Sequence, residues 1–206
     1  MNPLEIASHG PVIPVIVIDR VEDALPLAEA LLAGGVKVLE VTLRTAAGLP
    51  AIEAIARGLP EAVVGVGTVL NADDARRASD AGARFAVSPG YTSEVGSACK
   101  GLGLALLPGV ATSSEIMAAL ADGFSFLKLF PAQAVGGTAL LQSWASPFGQ
   151  VAFCPTGGIT AATAHQYLAL PNVRCVGGSW LTPADAVRTG DWARITQLAR
   201  ETQSLR

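Results

Sequence analysis

The chain has 206 residues, half of them hydrophobic and only 15% charged, a size and balance that suit one compact domain with a central layer buried on both faces and exclude a disordered chain. Its net charge of −3 comes without any long run of Lys or Arg, which removes the electrostatic footprint expected of a nucleic-acid binder. The chain has no basic-then-apolar leader and no apolar run long enough to span a bilayer, so the expectation is a soluble cytoplasmic protein with neither nucleic acid nor membrane as partner.

Residues 1–10 read as a short N-terminal lead-in. "VIPVIVI" (12–18) is the first strand candidate, and "DALPLAEALLAGG" follows as a helix whose apolar face is set by Leu25, Ala28, Leu31 and Leu32. Pro26 falls in its early turns, where proline is tolerated best. "VKVLEVTL" (36–43) and "VVGVGTV" (63–69) are the second and third strands. "NADDARRASDAGA" is a helix opening on Asn71 as N-cap and closing at Gly82. "FAVSP" (85–89) and "LALLP" (104–108) are the next two strands. "TSSEIMAALADG" carries a Thr-x-x-Glu capping box at Thr112 and Glu115 and ends at Gly123. "FLKLFP" (126–131), "VAFCPTG" (151–157) and "VRCVGGS" (173–179) bring the strands to eight.

A glycine just before a strand recurs in "AGGVKVLEVT", "AGARFAVSPG", "GLGLALLPG" and "DGFSFLKLFPA", and four successive strands end at Pro89, Pro108, Pro131 and Pro155. This is a repeated βα unit of roughly 20 to 25 residues. Eight such units predict an α/β protein of the (β/α)8 TIM-barrel class, a single domain over residues 1–206. An open doubly wound sheet is the alternative, but it has fewer strands as a rule, and no Gly-x-Gly-x-x-Gly follows the first strand.

Cys99, Cys154 and Cys175 fit neither a disulfide framework nor paired metal spacing and read as small buried hydrophobes. His9 and His165 lie far apart, which argues against a histidine-bound catalytic zinc.

In this fold, active sites gather where strands end at their C-terminal side. Polar residues there are Glu40 on the second strand with Arg44 just beyond, Thr68 ending the third, Lys128 on the sixth, Thr156 ending the seventh and Ser179 ending the eighth. Strand alternation puts Phe126, Lys128 and Phe130 on one face and Leu127 and Leu129 on the other. With the leucines against the helices, Lys128 would point inward between two aromatic rings, where desolvation disfavours its ammonium and yields the neutral amine that attack on a ketone requires. The bland alternative is a core ion pair between Lys128 and Glu40. Such a pair adds little stability once desolvation is counted. Glu40 is the natural proton shuttle beside the amine. Arg44 lies about 13 Å further along an extended chain, so it must sit in the loop and reach back, where a guanidinium could hold a carboxylate bidentately. Otherwise it is a solvated loop residue. Gly157 and Gly158 in "CPTGGI", and Gly178 with Ser179 in "GGSW", follow the last two strands. Loops there commonly form the phosphate site of this fold, so a phosphorylated small molecule is expected.

These motifs together resemble the 2-keto-3-deoxy-6-phosphogluconate (KDPG) aldolases, class I lyases of the Entner–Doudoroff pathway. The likeness runs through "PVIPVIVI", "GGVKVLEVTLRT", "VGVGTVLN", "AGARFAVSPG", "LLPGVATSSE", "FLKLFPA", "FCPTGGI" and "VGGSWL". The resemblance implies a homotrimeric barrel needing no metal or other cofactor, which cleaves KDPG to pyruvate and D-glyceraldehyde 3-phosphate through a covalent imine on Lys128. It implies Glu40 as general acid/base and Arg44 and Thr68 at the pyruvate carboxylate. Thr156 would lie beside the reacting carbons, Gly157, Gly158, Gly178 and Ser179 would cradle the phosphate, and Pro89 and Phe130 would also contact substrate. Gln133 departs from the glutamate many relatives carry after "FPA" and touches none of these roles. The same mechanism on 4-hydroxy-2-oxoglutarate or on the galactonate epimer of KDPG is the alternative. A phosphosugar-binding barrel without catalysis leaves Lys128 and Glu40 unexplained, and an isomerase would form no trappable imine.

Overall fold

The computed structural model describes residues 3–205. Its architecture is α/β with every strand pair parallel. Strands β1 (Val12–Ile16), β2 (Val38–Thr42), β3 (Val63–Gly67), β4 (Phe85–Val87), β5 (Ala105–Leu107) and β9 (Val176–Gly178) make a curled sheet in the order β5-β4-β3-β2-β1-β9. Strands β6 (Gly109–Val110), β7 (Phe126–Leu129) and β8 (Ala152–Pro155) make a second sheet in the order β6-β7-β8.

The predicted fifth strand ends at Leu107, and beyond Pro108 a further short strand, absent from the prediction, changes partner: β5 pairs with β4, and β6 pairs with β7. Proline has no N–H to give to a ladder, yet its carbonyl still accepts from Lys128 N at 2.8 Å. Gly109 is needed at this step, since a Cβ there would come 2.3 Å from the Pro89 carbonyl oxygen. The remaining strands stop one or two residues before their predicted C-terminal limits. Two of them do so at left-handed residues, Thr68 after β3 and Gly157 two residues past β8, where a ladder cannot continue.

Alternation along the strands builds two cores. Leu39, Val41, Val64, Val66, Leu127, Leu129 and Phe153 join the core shared with the helices. Ile13, Val38, Val63, Phe85, Phe126 and Cys154 form a separate inner cluster on the concave side. Into it also go Ile6 and Ala7 of α1 (Pro3–Ser8), so the lead-in segment is a helix that buries two residues.

The capping signals act as expected. Asn71 Oδ1 accepts from Asp74 N at 2.9 Å at the start of α4 (Ala72–Asp80), and both halves of the Thr112–Glu115 capping box form at α6 (Ser113–Ala121). In α2 (Ala24–Ala33) the buried face centres on Ala24, Leu27, Ala28 and Leu31, while Leu25 and Leu32 lie half-buried on its flanks.

Candidate active site

Lys128 occupies the inward face of β7 because its neighbours Leu127 and Leu129 are spent on the outer core. Only 4% of its side chain is exposed, and Nζ lies 3.5 Å from Glu40 Oε1, itself on a side chain 3% exposed. Nζ also sits 5.0 Å from the Phe130 ring centroid, so the aromatic face forms the other wall of the amine.

Room for the Glu40 carboxylate comes from the neighbouring strand. Glu40 is paired in register with Gly65, and Thr42 with Gly67. A Cβ at Gly67 would stand 2.4 Å from Glu40 Oε1, and one at Gly65 would stand 2.4 Å from the Phe85 ring. Two bare positions on the inner face of β3 thus admit one carboxylate and one aromatic ring into the concave side.

Burial pushes the Glu40 carboxyl above the usual carboxylate range, and the opposing pull of the Lys128 charge and hydrogen bond, with a further pull from Arg44, does not cancel it. The 3.5 Å separation is longer than the roughly 2.7–2.9 Å of a tight charge-assisted bond, so neither group is locked on the other. A carboxyl with a raised pKa beside a buried amine can both give and take a proton.

Arg44 does reach back from the turn after β2: its Nε donates to Thr68 Oγ1 at 3.3 Å. Its guanidinium has no carboxylate partner among the described residues, which leaves it free for one. Thr68 carries φ 65, the one positive φ of a non-glycine residue in the described chain. That conformation is strained for a β-branched residue, and it delivers the hydroxyl to Arg44.

Thr156 is buried and forms a bridge with Gly177, where a Cβ would come within 2.1 Å of Thr156 Oγ1. Its hydroxyl therefore stands over bare backbone on the next strand. Pro89 lines the step beside Gly109 described above. Gly157 and Gly158 have φ 104 and 77 and bound a cavity of about 270 Å³ with Pro131, Gln133 and Ala134. Ser179 bounds a different, larger cavity of about 620 Å³ between the ends of β1 and β9. Gly178 carries the Trp180 ring so closely that a Cβ would lie 1.9 Å from it. The structure thus gathers Lys128, Glu40 and Phe130, with Arg44 bonded to Thr68 and close enough for its charge to act on Glu40, and it divides the four expected phosphate-cradle residues between two cavities.

Sequence reasoning missed Gly65 and Gly67, although small residues at alternate positions in "VGVG" mark the inner face of a strand. It also missed Val15, Asp19, Arg20 and Arg188, which line the larger cavity, the first three separated from Arg188 by most of the chain. Among the described residues no three His, Cys, Asp or Glu side chains gather as a metal ion would need, and no helix is long and apolar enough to cross a membrane.

A family model described as KDPG and KHG aldolase matches residues 4–198. A KHG/KDPG aldolase of Escherichia coli strain K12 is 54% identical over 196 residues, covering 95% of this chain and 92% of the relative. A 2-dehydro-3-deoxy-phosphogluconate aldolase of Pseudoalteromonas atlantica is 52% identical over 197 residues, covering 96% and 92%. Among solved structures, a KDPG aldolase from Legionella pneumophila, with pyruvate captured as a covalent carbinolamine intermediate, superposes with a TM-score of 0.97 at 47% identity, covering 99% of both chains.

Proposed function

The chain belongs to the KDPG and KHG aldolase family, and on that premise we propose that it cleaves 2-keto-3-deoxy-6-phosphogluconate as a class I aldolase with Lys128 as the imine-forming residue. The observation that carries this reading is the buried Lys128–Glu40 pair, 3.5 Å apart on facing inner surfaces.

The chemistry follows from that pair. The Lys128 amine adds to the substrate C2 carbonyl, giving a carbinolamine. Glu40, whose carboxyl burial raises above the usual carboxylate range, donates to the departing hydroxyl, and water leaves as the protonated imine forms. That iminium draws the electrons of the C3–C4 bond, while the C4 hydroxyl gives its proton to the Glu40 carboxylate left by the previous step and becomes the aldehyde. The remaining enamine takes that proton back from Glu40 at C3, and water adds to the imine to release pyruvate and the free amine. Lys128 thus supplies the electron sink itself, and the reading needs no cofactor. Arg44 and Thr68 hold the substrate carboxylate in this scheme, Phe130 and Pro89 wall the reacting carbons, and Thr156 stands beside C4. Gly157, Gly158, Gly178 and Ser179 serve the phosphorylated end.

The reading includes an eight-stranded closed barrel, supported by isolated parallel bridges beside the two sheets, Phe153 of β8 with Val173 and Thr156 with Gly177 of β9, and by the partner change at Pro108. It also includes a homotrimer in the cytoplasm, which light scattering on the purified protein tests for assembly.

The decisive experiment is borohydride reduction in the presence of pyruvate, followed by peptide mass spectrometry. A pyruvate adduct on Lys128, absent from Lys128→Ala, supports the reading; a folded protein that traps nothing overturns it. 4-Hydroxy-2-oxoglutarate is the second substrate to assay, since the E. coli relative is named for both activities.

A further inference from the structure

We propose that Arg188 is the residue that makes this aldolase prefer a phosphorylated substrate, by placing an unpaired guanidinium in the cavity where the substrate's distal end lies; the inference rests on the aldolase reading above.

The cavity of about 620 Å³ opens between the C-terminal ends of β1 and β9. Val15 and Val17 supply its apolar wall, and Val15 is the register partner of Glu40 on β2. The cavity therefore begins one strand away from the proton-transferring carboxyl. Ser179 stands on its opposite side, directly after Gly178, which pairs in register with Pro14. A substrate whose ketone is bonded to Lys128 and whose far end reaches Ser179 must place that end here.

The charges around the cavity are those of Asp19, Arg20, Asp23 and Arg188. Arg20 is held by Asp23 through two hydrogen bonds, Nε to Oδ2 at 2.9 Å and Nη2 to Oδ1 at 2.8 Å, so the two neutralise one another. Arg188 lies on α9 (Ala184–Thr189), and the acid on the same helix, Asp185, is taken by Arg194 at 2.7 Å. Arg188 itself has no ion-pair partner among the described residues. It is the one cation of the cavity still available to a dianion. Asp19 is the one free anion there and opposes the same ligand. A phosphate monoester meets the Ser179 hydroxyl and a planar guanidinium suited to two of its oxygens, whereas 4-hydroxy-2-oxoglutarate carries its second carboxylate directly on C4, a shorter reach and a single charge, and so gains less from Arg188.

Opposite charges on one cavity give a test with two signs. Wild type, Arg188→Ala, Arg188→Lys and Asp19→Asn are assayed for cleavage of KDPG and of 4-hydroxy-2-oxoglutarate, at low and at physiological ionic strength. For KDPG, Arg188→Ala should raise KM about five- to tenfold with kcat within twofold, the size expected for a charge-assisted contact at a partly solvated site. Arg188→Lys should recover part of that loss, and Asp19→Asn should lower KM. The KM for 4-hydroxy-2-oxoglutarate, whose distal carboxylate lies closer to C4 and carries one charge, should change in the same direction but by clearly less. Added salt should weaken KDPG binding more in wild type than in Arg188→Ala. Borohydride trapping of pyruvate is the control: if wild type fails it, the aldolase reading falls. If all variants trap pyruvate but Arg188→Ala leaves the KDPG KM unchanged, or raises both KM values alike, the assignment of Arg188 is overturned.

Discussion

Gly67 lies directly beneath the Glu40 carboxylate: any Cβ at that position would meet Oε1 at 2.4 Å and Cγ at 2.8 Å. The proposed general acid is thus positioned by the absence of a side chain on the next strand, and that absence can be probed.

Gly67→Ala should displace Glu40 from Lys128 without changing either functional group. Overpacking of this kind costs about 1–3 kcal/mol of stability, so the variant should fold. The expected signature is a fall in kcat of about tenfold or more with KM little changed, because proton transfer depends on position more than binding does. Steady-state kinetics beside a thermal melt separate the two effects; a full-rate Gly67→Ala enzyme would show that Glu40 tolerates displacement.

The ionisation of Glu40 gives a pH prediction. Burial raises its carboxyl above the unfolded-chain value of about 4.3. Its contribution to stability is therefore fully present below about pH 4.3 and is lost as the pH rises through the folded-state pKa. Glu40→Gln cannot ionise, so denaturant melts should show wild type losing stability relative to the variant as pH rises through that window. The same substitution should lower kcat by about a hundredfold or more, with imine trapping by borohydride slowed.

What could be read in advance follows from local periodicity. Two leucines flanking Lys128 on an apolar strand left its side chain a single direction, and the capping box at Thr112 needed four residues in a row. Arg44 was harder: its distance along the strand said that it must fold back, but only the left-handed turn at Thr68 shows how. The partner change at Pro108 escaped because "LALLP" and the glycine after it serve different neighbours, which is a property of the sheet and not of the segment. Arg188 and Ser179 stand nine residues apart with a turn between them, and Val15 is far away in sequence. Their shared cavity exists only once β1 lies beside β9.

The three cysteines should be inert in the native protein. Cys99, Cys154 and Cys175 are each at most 2% exposed, and burial pushes the Cys99 thiol up to about 11, which leaves almost no thiolate at neutral pH. Cys154 is the register partner of Lys128, so its modification would also block the imine site. A thiol-reactive chromophore should label none of the three on the timescale of the assay in buffer and all three in guanidinium. Rapid native labelling at Cys154 with loss of activity would show that the inner cluster opens without global unfolding.

The capping box of α6 offers a stability test remote from the chemistry. Thr112 Oγ1 accepts from Glu115 N at 3.3 Å, while Glu115 Oε2 accepts from Thr112 N at 2.9 Å and from Ala111 N at 2.6 Å. Thr112→Ala removes one acceptor and leaves an orphan N–H at the first turn, at a cost of about 1 kcal/mol. Glu115→Ala strips two backbone donors at once and should cost more. For a domain of this size, each 1 kcal/mol lowers Tm by about 2–4 °C. Two residues separate α6 from β6, whose Gly109 is the register partner of Lys128. If the cap also fixes that short strand, Glu115→Ala should lower kcat at temperatures well below its own melt, whereas a purely local role leaves kcat at its wild-type value and moves Tm alone.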